Sequence, residues 1–179
     1  MPEPALTELL YGKGAHANSV ACVEGLTAEL AACQIEGFPH SIWQLVFHLN
    51  YWIEYDLKRI RGEHPLYPAR ADESWPCSPA PADDAKWKQE AARFTALLGE
   101  VAILANASSD KLQQEDEAMH PAYERQSSSV LAVLWQAVCT IATTSAKSPC
   151  CDAPSGSGRR PAEAIPGSGR TTLPEHAVC

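Results

Sequence analysis

From Ser41 to Gly62 the chain carries one unbroken apolar stripe. Ile42, Leu45, Val46, Leu49, Trp52, Ile53, Leu57 and Ile60 recur at threes and fours, which puts them on one face of an α-helix of about 3.6 residues per turn. Ser41 is a good N-cap, because its hydroxyl can accept from an orphan backbone N–H. Lys58, Arg59 and Arg61 lie in the last turn, where cations suit the helix dipole. Gly62 can cap the C-terminus. A one-sided helix of this length needs other elements to cover its apolar face, and the rest of the chain must supply them.

The neighbouring segments supply helices. In residues 5–33, Leu6, Leu9 and Leu10, then Val20, Val23, Leu26 and Leu30, keep helical spacing, with Gly12 and Gly14 between the two groups. The pattern predicts a short helix, a break near Gly14 and a longer helix whose last turn Thr27 restarts. Five prolines between Pro65 and Pro81 mark a long loop, anchored by Tyr67 and Trp75. A third helix begins at Asp83 or Asp84, shows Trp87, Ala91, Phe94, Leu97, Leu98, Val101 and Leu104 on one face, and fades near Asn106. Residues 107–126 are polar. A fourth helix begins in the Ser127-Ser128-Ser129 run and presents Val130, Leu131, Val133, Leu134, Trp135 and Val138. Trp43, Trp52, Trp87 and Trp135 stand at helical spacing and read as core or interface.

After Val138 the character changes. Residues 139–179 hold no aromatic residue and one leucine, Leu173, and are rich in Pro, Gly, Ser, Thr and Ala. Four of the seven cysteines fall there: Cys139, Cys150, Cys151 and Cys179. The expectation is therefore all-α: an up-down four-helix bundle over residues 1–138, with a truncated fourth helix, and a low-order tail over 139–179.

Composition narrows the function. A net charge of −8 argues against a general nucleic-acid binder, which needs excess Lys and Arg to release counterions. No apolar run approaches the roughly 20 residues of a membrane span. The start, Met1-Pro2-Glu3-Pro4, lacks the basic flank and apolar stretch of a signal peptide, so a cytoplasmic location is expected. No CxxC pair is present, and the cysteines read as free thiols. Cys22 and Cys33 are expected to pack on helices. Cys150, Cys151, His176 and Cys179 have poor spacing for a zinc site.

The stretch His40-Ser41-Ile42-Trp43-Gln44-Leu45-Val46-Phe47-His48-Leu49-Asn50-Tyr51-Trp52 resembles the DinB family, as do Gly14-Ala15-His16, Phe38-Pro39-His40-Ser41 and Leu131-Ala132-Val133-Leu134-Trp135-Gln136. The resemblance covers about residues 5–138. It implies a four-helix bundle, often dimeric, that holds a divalent metal (Zn, Ni or Fe) on three histidines: one from the second helix and an HxxxH pair from the fourth. It also implies a small-molecule thiol partner, in a thiol-dependent transferase or isomerase. His48 matches the second-helix ligand and lies about 60° off the centre of the Leu45/Leu49/Trp52 stripe. His16 and His40 read as turn residues with structural hydrogen bonds, and His120 could face the pocket. No residue receives a catalytic role.

The HxxxH pair is absent. Its place on the fourth helix reads Cys139-Thr140-Ile141-Ala142-Thr143-Thr144-Ser145. Permitted codons for Val138 through Ala153, read from the third base of the Val138 codon, encode VHNSYHIGEIAMLRR, which carries such a pair. A base lost near that codon would make 139–179 an out-of-frame translation. Two further readings stand beside the metalloenzyme: a non-catalytic, metal-free helical protein that could pair through its Trp-rich faces, and a frameshift product destabilised by its incomplete core.

Overall fold

The computed structural model describes residues 4–13, 17–34, 37–120 and 123–146. Three long helices dominate: α3 (Ile42–Ile60), α4 (Asp84–Ala105) and α6 (Val130–Ala146). Shorter pieces complete the order: α1 (Pro4–Leu10), α2 (Ala28–Ala32), α5 (Ser109–Gln113), and an antiparallel hairpin of β1 (Glu115–His120) and β2 (Tyr123–Ser129). Among the described residues the protein is an all-α bundle with this small hairpin, which lies in the polar stretch ahead of α6. Among the described residues, no helix is long and apolar enough to cross a membrane.

Local chemistry sets the helix ends. Ser41 accepts from Gln44 N, and the Gln44 side chain accepts from Ser41 N, which makes a reciprocal capping box. At the other end of α3, Gly62 takes φ +75°, while its N–H bonds to Arg59 O and that of Glu63 to Lys58 O. This is a glycine-terminated cap that satisfies orphan carbonyls. Asp83 caps α4 by accepting from Lys86 N at 2.7 Å. Ser129 accepts from Ala132 N at the start of α6, one residue from the predicted onset.

Two expectations change at the level of elements. The longer helix predicted after Gly14 shrinks to α2. Asn18 Oδ1 accepts from Val20 N and Ala21 N, Gly25 turns the chain at φ +73°, and Thr27 then caps the five-residue α2. The fourth helix, expected to lose its period after Val138, continues to Ala146. Ile141 lies three residues beyond Val138 and four beyond Ala137, and all three are buried. No Pro or Gly interrupts residues 139–146, so backbone bonding carries on. Residues 147–179, the rest of the predicted tail, lie outside the described residues.

The expected up-down alternation also changes. Asn50 bonds Glu90, Glu54 meets Arg93 and Arg61 meets Glu100. Partner numbers rise together, so α3 and α4 run parallel. Such a pair needs a long crossover, and the Pro-rich segment provides it. It retraces α3 from end to start: Tyr67 packs on Trp52 and Tyr55, Ser74 meets His48, Gln44 donates to Pro76 O, and Ser41 donates to Pro79 O. This strap delivers the chain to the head of α4. On the other side, α6 runs antiparallel to α3, with Val130 near Gly62 and Thr140 near Trp52.

The core lies where α1, α3, α4 and α6 meet. Leu6, Leu10, Ile53, Leu57, Phe94, Leu98, Val133, Leu134 and Ile141 are fully or nearly fully buried. Trp87 is buried too, and its indole N–H donates to Leu26 O at 2.7 Å.

Candidate functional site

His48 sits at mid-helix on α3, half-buried beneath the strap. Its Nδ1 and Ser74 Oγ share a hydrogen bond at 3.0 Å. Its ring stacks on Trp75 with centroids 3.8 Å apart, and His40 stacks on Trp75 at 3.9 Å. The indole thus lies between two near-parallel imidazoles. Burial lowers the His48 pKa from its ordinary 6.5; a hydrogen bond with the Ser74 backbone opposes this, and the neighbouring His40 adds to it. With Nδ1 engaged by Ser74, Nε2 is the nitrogen a ligand would have to reach.

One turn beyond His48, a cavity of about 460 Å³ opens between α3 and α6. Trp52, Tyr55, Asp56 and Arg59 line it from α3, Tyr67 from the strap, and Gln136, Cys139 and Thr140 from α6. Arg59 and Asp56 pair at 3.3 Å with side chains only 9% and 14% exposed. Arg59 also lies over the Tyr55 ring at 5.8 Å. From sequence, Arg59 had only a place in the last turn of its helix, and Tyr55 and Asp56 had none, though a signal was present. Positions 52, 55/56 and 59 step by threes and fours beside the apolar stripe and so share a face.

A second polar centre, between α3 and α4, had no such signal. Asn50 is fully buried and donates from Nδ2 to Glu90 O and Glu90 Oε2, at 3.0 and 2.9 Å. The buried Glu90 carboxylate also holds Lys86 and Arg93. These bonds pin the two parallel helices.

Other predicted residues scatter. Cys33 is exposed at the end of α2, where packing was expected, and its thiol donates to Glu29 O. Cys22 is half-buried in the turns before α2. His64 is exposed. His16, Cys150, Cys151, His176 and Cys179 lie outside the described residues, as do the side chains of His120 and Thr144. Of the four tryptophans read as core or interface, Trp43 and Trp87 are buried, Trp52 is half-buried, and Trp135 is 41% exposed.

A three-histidine metal centre does not fit these residues. Position 140, where the pair would begin, puts a threonine on the cavity wall, and no two histidines in the chain stand four apart. Among the described residues, no three His, Cys, Asp or Glu side chains are placed to hold a metal ion.

Fold and site together define a helical bundle with a single histidine on its first long helix and a ligand-sized cleft against its last one. The DinB superfamily model matches residues 13–138, and the chain belongs to that superfamily. No curated protein and no solved structure matches it.

Proposed function

We propose that this chain is a small-molecule-binding DinB bundle that holds no metal tightly. The observation that carries this reading is Thr140, which stands on the cleft wall where the back-translated histidine pair would begin. Catalytic metal sites typically use three protein ligands, and His48 alone supplies one. Metal content of the purified protein tests it. Well under one Zn, Ni or Fe per chain is expected, and the Thr140→His/Thr144→His double variant should gain metal. His48→Ala in that background should lose it again, which would assign His48 its ligand role. One metal per unmodified chain, lost on His48→Ala, would overturn the reading.

The back-translated HxxxH helix favours a second reading for a frame-restored chain. There His48 and the restored pair would hold a divalent ion. Bound metal lowers the pKa of a coordinated thiol, which suits a thiol-dependent transferase or isomerase using a low-molecular-weight thiol. A homodimer belongs to the same family-based proposal. Resequencing the gene across the Val138 codon tests this reading. An additional base there supports it, and the present frame read with codons incompatible with the shifted peptide removes it.

A further inference from the structure

We propose that the α3–α6 cleft takes a flat, uncharged aromatic ligand, seated in the corner formed by Trp52, Tyr55 and Tyr67. This rests on the metal-poor binding function proposed above and names the ligand class of the same cleft. The three rings come from two segments and pack pairwise, with centroids 5.7 to 5.9 Å apart. Tyr55 stands at 80° to Trp52 and 90° to Tyr67, so the corner offers an incoming ring both faces and edges, the two complementary sides of an aromatic quadrupole. The cavity of about 460 Å³ lies within the roughly 300–1,000 Å³ range of small-molecule sites.

Charge decides between ligand classes. Asp56 and Arg59 are the charged side chains of the lining, and they pair with each other in a largely buried position. Their charges cancel, so a ligand ion would lose water without gaining a countercharge. Arg59 already lies over the Tyr55 ring, so one aromatic surface that could attract a ligand cation has a cation of its own. At the rim, Thr140 donates to Gln136 O at 2.9 Å, while the exposed Gln136 amide can donate to and accept from a polar group on the ring's edge.

Calorimetric titration of chelator-treated protein with indole, benzoate and benzylammonium tests the proposal. Indole should bind roughly tenfold or more tightly than either ion, because only the ions pay an uncompensated desolvation. Trp52→Ala and Tyr67→Ala should each weaken indole binding at least several-fold, and Tyr67→Phe should keep it. Gln136→Ala, at an exposed position outside the core, should weaken indole binding by removing the acceptor for its ring N–H; circular dichroism checks that every variant is folded. No indole binding, equal binding of the ions, or indole binding indifferent to Trp52→Ala and Tyr67→Ala in folded variants would overturn it. Zinc content assays the metal-poor reading separately: tightly held zinc together with indole binding in chelator would overturn that reading and keep this one.

Discussion

At the scale of single residues, two buried polar groups connect chemistry to stability. The folded-state pKa of His48 lies below its ordinary 6.5 because the ring is partly buried. Below 6.5 the unfolded chain therefore binds a proton that the folded chain resists, and stability falls as pH drops toward the lowered pKa. Urea unfolding between neutral pH and pH about 5 should show this decline, and His48→Gln should flatten it. Equal slopes in both proteins would remove His48 as its source. Asn50 matters through Glu90. Asn50→Ala leaves the buried carboxylate short of a donor and should cost about 1–3 kcal/mol in urea unfolding. Asn50→Asp should cost more, since it sets a second carboxylate against Glu90. A near-neutral Asn50→Ala would mean that Lys86 and Arg93 suffice.

At the scale of elements, α6 and the strap carry the argument. The helix runs through the point where the composition changes, because backbone hydrogen bonding needs only the absence of breakers and Ile141 extends the buried row. Ile141→Ala should therefore cost about 2–5 kcal/mol, the usual penalty for a fully packed aliphatic side chain. A helix that ended at Val138 would leave the substitution without measurable effect in thermal or urea unfolding. The strap has no helical period to read. Its place on α3 comes from isolated anchors: Tyr67 meets Trp52, Ser74 and Trp75 meet His48, Pro76 meets Gln44, and Pro79 meets Ser41 ahead of the first turn.

At the scale of the whole molecule, α1 closes the bundle although it precedes the family match, which starts at residue 13. Leu6 and Leu10 are fully buried, and α1 packs on α4 and α6. Leu6→Ala should thus destabilise the entire fold by about 2–5 kcal/mol, with a single cooperative transition. Loss of the α1 signal alone, with the rest of the unfolding curve unchanged, would show α1 to be peripheral. By itself the sequence determined the three long helices, though not the full length of α6, the caps at Ser41 and Gly62, a start of α4 at Asp83 or Asp84, the core stripes and the family. Those features depend on hydrogen bonds and spacings within about four residues, which a linear reading can see. Only the tertiary structure decided that α3 and α4 run parallel, that the strap folds back over His48, and that Tyr67, Arg59 and Cys139 face one cleft. These outcomes rest on contacts between distant residues, such as Ser74 with His48 and Trp87 with Leu26. The chain chooses among such partners by closing its core and satisfying its buried polar groups together.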